Sequence, residues 1–151
     1  MVKVVAPLLL LLSVAGLAIA ADEPAMRVGL TPVFLNDQAS FLQDWEAYLE
    51  ERLHAPVKFV RRKSYREITE MLLEDKVDVA WVCSPPYLRH RRQLSLLAVP
   101  LFRGEPLYQS YLIVPQTDRT TRDIVDLQGK VFAYSDPDSN SGYLVPQVQM
   151  R

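Results

Sequence analysis

The segment Ser139-Asn140-Ser141-Gly142 sets two hydroxyls, a carboxamide and a glycine side by side. It follows a strand-like run, residues 130–134, and precedes a stretch expected to coil from Tyr143 onward. Backbone amides at a helix start have no internal acceptor, and the helix dipole adds positive potential there. Small side chains let an anion approach those amides closely, and Ser and Asn contribute uncharged donors. That chemistry suits a tetrahedral oxyanion. The same residue types also make ordinary N-caps, in which Ser or Asn satisfies the first helical turn and nothing more. Spacing alone leaves both readings open.

Two further segments carry weaker signals. Ser84-Pro85-Pro86-Tyr87 follows an apolar strand-like run and lies where ligands of open α/β sheets bind, at the carboxyl ends of the strands. Tyr87 can donate its hydroxyl to a ligand oxygen or pack as a plain aromatic; Ser84 can donate or cap. Thr31-Pro32-Val33-Phe34 falls on the same edge and offers backbone amides or an aromatic wall, against a purely structural reading. Asp136 and Asp138 flank Pro137 and would repel an inward anion, so they read as turn formers.

No catalytic set is legible. The single cysteine, Cys83, follows Val79-Ala80-Trp81-Val82 and reads as a buried, inert thiol. A nucleophile would need a base nearby, and the only two histidines, His54 and His90, fall in polar stretches expected to be exposed. Two scattered histidines do not make a metal site, and no cofactor motif is present.

The elements that must position these residues follow from periodicity. Residues 26–30 read as a strand closed by Thr31-Pro32. Apolar residues at three- and four-residue steps predict a helix from about 37 to 53, burying Phe41, Trp45, Tyr48, Leu49 and Leu53. Residues 56–61 alternate as a second strand, and Ser64 with Glu67 forms a capping box for a second helix ending near Asp75. Residues 77–82 are apolar as a buried parallel strand is, and Ser84-Pro85 resembles an N-cap followed by proline in the first turn. Further strands are expected at 94–102, 108–114 and 130–134, with a polar crossover at 116–122 and a short helix or turn at 123–127 ended by Gly129. Strand–helix alternation with short connections is the pattern of a parallel α/β sheet.

The chain has 151 residues, room for one ordinary domain, and a net charge of -1. That balance argues against nucleic acid as a partner, and the basic runs at 61–63 and 89–92 read as solvated faces. Lys3, an apolar core from Val4 to about Leu17 and the small residues of Ala18-Ile19-Ala20 form a secretory signal cleaved after Ala20, with an uncleaved anchor as the alternative. The expected organisation is a signal at 1–20, a first α/β lobe at 21–115 and the opening of a second lobe at 116–151. One strand, a loop and part of a helix do not make a lobe alone. The chain is therefore expected to be part of a longer protein, and to bind weakly or not at all by itself.

Residues 131–146, Val-Phe-Ala-Tyr-Ser-Asp-Pro-Asp-Ser-Asn-Ser-Gly-Tyr-Leu-Val-Pro, resemble the substrate-binding proteins of phosphate/phosphite/phosphonate ABC transporters. Val77-Asp78-Val79-Ala80-Trp81 with Pro86-Tyr87, and Asp126-Leu127-Gln128-Gly129-Lys130, carry the same likeness. The resemblance implies a type II periplasmic binding fold, two α/β lobes closing on a ligand, and export to the periplasm. It implies that Ser139, Asn140, Ser141 and the Gly142 amide hold phosphonate oxygens, with Tyr87 reaching across from the first lobe. It puts Phe34 at an aromatic position of the family, without a tyrosine's hydroxyl. The partners implied are a small oxyanion (phosphate, phosphite or a phosphonate) and an ABC transporter permease, with no cofactor and no catalysis. The rival readings are the sensory input domain of a membrane histidine kinase or cyclase, an enzyme on the same scaffold, and a binder of an unrelated solute.

Overall fold

The computed structural model describes residues 24–34 and 38–151. The expected signal sequence and Asp37 lie outside these. Three parallel strands form the sheet in the order β2–β1–β3, with β1 (Met26–Leu30) central, β2 (Val57–Arg61) and β3 (Val79–Trp81) at its sides. Register runs from Met26 opposite Val57 to Leu30 opposite Arg61 on one side, and from Val28 opposite Val79 to Leu30 opposite Trp81 on the other. Because all three strands run the same way, Thr31, Arg62 and Val82 leave the sheet along one edge. Helices α1 (Ala39–Leu53) and α2 (Tyr65–Leu73) are the crossovers, and α3 (Ser84–His90) follows β3.

Side chains alternate across β1, so each face meets a different helix. Val28 and Leu30 join Leu42 of α1 and Val57 of β2 in the main core, with Met26, Phe34, Trp45, Leu49 and Phe59 packed around them. The opposite face carries Gly29. A Cβ there would lie 3.1 Å from Ile68 Cγ2 and 3.3 Å from both Ala80 and Val77. Glycine at this point lets α2 seat its buried Ile68 directly on the sheet.

The expected apolar stripe of α1 is corrected in part. Leu42 is buried and Trp45 and Leu49 are half-buried, but Phe41, Tyr48 and Leu53 are exposed. A three-stranded sheet offers the helix a narrow floor, and one row of side chains fills it. Trp45 does most of the filling, with ring centroids 5.0 Å from Phe59, 5.7 Å from Phe34 and 6.1 Å from Trp81. Helix α2 starts as expected: Ser64 Oγ accepts the Glu67 N–H, and the Glu67 carboxylate accepts the Ser64 N–H. At α3 the expectation is off by one residue. Cys83 is the N-cap and makes no side-chain cap, and Ser84 is already helical, with Pro85 behind it in the first turn.

At the other end of the sheet, Arg27 forks onto Asp78, with Nη2 to Oδ1 at 2.7 Å and Nε to Oδ2 at 3.1 Å. The Arg27 guanidinium and backbone N–H together hold the Asp78 carboxyl at about 2 against an ordinary 3.8. A carboxyl held low in the fold stabilises it above the unfolded value and loses that contribution as pH falls toward the folded one. Asp78→Asn is therefore expected to lower the urea midpoint at pH 7, with the gap from the native protein closing between pH 4 and 2. A gap that persists at pH 2 would contradict the assignment.

After α3 the expected strands do not form. The segments 94–102, 108–114 and 130–134 form no strands; the one pairing there is an isolated bridge between Phe102 and Glu105. A strand is half of a ladder, and apolar alternation shows only which side chains seek cover. Among the described residues no strand pairs with these segments, and Ile113 and Val131 stand 86% and 100% exposed. The polar crossover is ordered around Asp118. Its Oδ1 accepts the N–H groups of Thr120 and Thr121, and its Oδ2 accepts the Thr121 hydroxyl and Lys130 Nζ. These bonds, those from Thr121 foremost, hold its carboxyl far below the usual range. A 3-10 turn, Ile124–Leu127, follows, capped by Asp123 and Asp126. A π-helical turn, Asn140–Leu144, then runs into α4 (Val145–Gln149), so coiling begins three residues before Tyr143.

Candidate functional site

The serine loop sits beside the C-terminal edge of β3. The Asn140 N–H points at Cys83 Sγ, 3.4 Å away, and the Ser110 hydroxyl donates to the Ser141 carbonyl at 2.7 Å. Cys83 is thus half-buried and in use as an acceptor, rather than an isolated core thiol. Ser139 is 5% exposed and caps the turn, its Oγ accepting the Gly142 N–H at 3.1 Å. The capping role is therefore real. It takes one lone pair of the Ser139 oxygen, and the same hydroxyl also hydrogen-bonds with the Tyr65 phenol.

The Gly142 amide, expected to face a ligand, is committed to Ser139 in this arrangement. The donors without a partner among the described residues are the Asn140 carboxamide, the Ser141 hydroxyl and the Ser141 N–H. All are uncharged and only half-buried. Gly142 itself is required by space. A Cβ there would fall 1.9 Å from Ser135 Oγ and 2.8 Å from Ser135 Cβ, because Ser135 N–H donates to the Gly142 carbonyl at 3.0 Å.

Of the candidates near the sheet, Phe34 lies on the expected edge. Its ring meets Trp81 edge-on at 5.4 Å, while its carbonyl accepts Arg61 Nη2 at 2.8 Å. Ser84 is exposed and Tyr87 half-buried, and neither side chain hydrogen-bonds to the described residues. The residue that α3 turns toward the loop is Arg89, which pairs with Asp138 at 2.6 Å. Two positions along a helix are about 200° apart, so Tyr87 faces away from that contact.

The tyrosine beside the serines is Tyr65, the first residue of α2. Burial foremost, and then the neighbouring Cys83, Asp136 and Tyr108, push its phenol above the ordinary value of 10.0; a hydrogen bond with Ser139 acts the other way. Sequence reasoning had used Tyr65 only as a spacer inside the capping box. Asp136 and Asp138 do form the expected turn, with Asp138 N–H on Asp136 Oδ1 at 2.8 Å. They also reach beyond it. Asp136 Oδ2 accepts the Tyr65 N–H at 3.0 Å, and Asp138 accepts Arg89 Nη2 at 2.6 Å, while Arg89 itself stays exposed as the solvated basic run implies. His90, expected to be exposed, is half-buried and lines a cleft with Arg66, Glu70 and Arg89.

Hydroxyls, a carboxamide and a phenol thus gather at one edge of a parallel α/β sheet. A family model for "ABC transporter, phosphonate, periplasmic substrate-binding protein" matches residues 28–151. The chain belongs to that family, a family of substrate-binding transport proteins rather than enzymes, which makes it an exported, periplasmic protein.

Proposed function

We propose that this chain captures a small phosphorus oxyanion, a phosphonate, phosphite or phosphate, between two lobes of a type II periplasmic binding fold and delivers it to a transporter permease. Residues 21–115 are assigned to the first lobe, 116–151 to the opening of the second, and 1–20 to a cleaved signal. The observation that carries this reading is the cluster of uncharged donors on one turn: the Ser139 and Ser141 hydroxyls, the Asn140 carboxamide and the Ser141 amide, with the Tyr65 phenol beside them. Uncharged donors hold an anion by directed hydrogen bonds, and such bonds to a charged group are the strong ones. Ser84, Tyr87 and Phe34 are assigned to the rim on the first-lobe side. The mechanism is capture without bond-making, and the ligand drives closure only by binding the closed arrangement better than the open one.

The test is a backbone-amide NMR titration of the chain with methylphosphonate, phosphite, phosphate and sulfate. Saturable shifts centred on residues 139–143 and Tyr65, with at least one phosphorus oxyanion ahead of sulfate, are expected. Shifts centred elsewhere, or equal responses to sulfate, would defeat the reading.

A further inference from the structure

We propose that Arg89, Asp138 and Asp136 are positioning residues that pin the serine loop to two helices of the first lobe, setting its donors before a ligand arrives. The inference rests on the ligand reading above.

A turn former needs one local hydrogen bond, and Asp136 Oδ1 supplies it by accepting the Asp138 N–H. Two further carboxylate contacts are left over, and both are long-range. Asp136 Oδ2 takes the N–H of Tyr65, an amide at the start of α2 that has no acceptor inside its own helix. Asp138 is 6% exposed, and a carboxylate so buried needs a partner. That partner is Arg89 Nη2 on the last turn of α3, at 2.6 Å. The two pins engage different helices, and the residue that follows them is Ser139. Two attachments on so short a segment fix its orientation as well as its position, and the cap from Ser139 to Gly142 carries that orientation into the turn.

The Arg89 pin is separable from the core. Its side chain is 53% exposed and borders a cleft of about 270 Å³ between α2 and α3 that also involves Arg66, Thr69, Glu70 and Leu73. Removing the guanidinium opens no cavity in the packed sheet but leaves the buried Asp138 carboxylate unpaired, so effects on the loop and on the fold are separated in the double variant, which keeps neither charge.

The experiment compares Arg89→Ala, Asp138→Asn, the double variant and Arg89→Lys in the full chain. Methylphosphonate affinity is read by NMR titration, loop order by amide hydrogen exchange at residues 139–144, and folding by thermal melts. Each single change is expected to weaken affinity about 3- to 10-fold, the range for a partly exposed charged hydrogen bond. The double variant should be no worse than either single, and Arg89→Lys should recover to within about twofold. Exchange at 139–144 should quicken in Arg89→Ala and in the double variant, and the melting midpoint should hold in the double variant, where no carboxylate is left unpaired. Native exchange rates in Arg89→Ala, or losses that multiply in the double variant, would overturn the pin. If the native chain ignores methylphosphonate, phosphite and phosphate, the ligand reading falls, and the exchange comparison still decides whether the pin exists.

Discussion

Replacing Ser139 and Ser141 together with alanine is expected to weaken oxyanion binding by about 100-fold or more. Each hydroxyl is assigned one hydrogen bond to a charged ligand, worth about 1.5–3 kcal/mol, and tenfold in affinity corresponds to about 1.4 kcal/mol. The two serines separate in a second measurement. The Ser141 hydroxyl has no partner among the described residues, so Ser141→Ala should lower affinity and leave the melting midpoint unchanged. Ser139 also caps the turn, so Ser139→Ala should lower both, with a stability loss of about 1 kcal/mol, as capping serines give elsewhere. Native affinity in the double variant would place the ligand elsewhere and reduce the loop to a cap. Matching stability losses in both single variants would mean that Ser141 holds protein and not ligand.

The sheet could be read from sequence because its determinants are local. Residues 26–30 and 57–61 alternate, the capping box at Ser64 and Glu67 announces α2, and short connections force parallel strands. The hydroxyls and carboxamide of the serine loop could be picked out for the same reason, since they are neighbours in the chain. What failed needed a partner distant in sequence. The segments 94–102, 108–114 and 130–134 carry the right residues for strands, but a ladder requires a second strand that periodicity does not name. Tyr65 looked like filler between Ser64 and Glu67, yet α2 begins at the edge of β2 and carries it to Ser139. Arg89 is exposed, as its polar neighbours His90, Arg91 and Arg92 suggest, but nothing in that run names its buried partner Asp138. One signal was available. Two aspartates flanking a single proline have only one local turn to make, so a carboxylate was left without an assignment.

The strongest local test of the site is Gly142→Ala, because the added methyl has nowhere to go. Its Cβ would sit 1.9 Å from Ser135 Oγ and 2.8 Å from Ser135 Cβ, far inside van der Waals contact. Rotating the Ser135 hydroxyl away relieves the first clash and leaves the second, so backbone must move. That movement strains both bonds Gly142 makes, its carbonyl to the Ser135 N–H and its N–H to Ser139 Oγ. Overpacking of this kind costs about 1–3 kcal/mol, which should appear as a lower melting midpoint. Binding should suffer more than folding, because the displaced atoms are the cap that orients the Ser139 hydroxyl. Affinity is expected to fall about 30-fold or more. Ser135→Gly removes both offending atoms, so adding it to Gly142→Ala should restore most of the binding, although alone it should do little. Native binding in Gly142→Ala would show that the loop does not pack against Ser135. A loss that Ser135→Gly fails to rescue would show that glycine is needed at 142 for contact with the ligand itself, and not for the space its neighbour occupies.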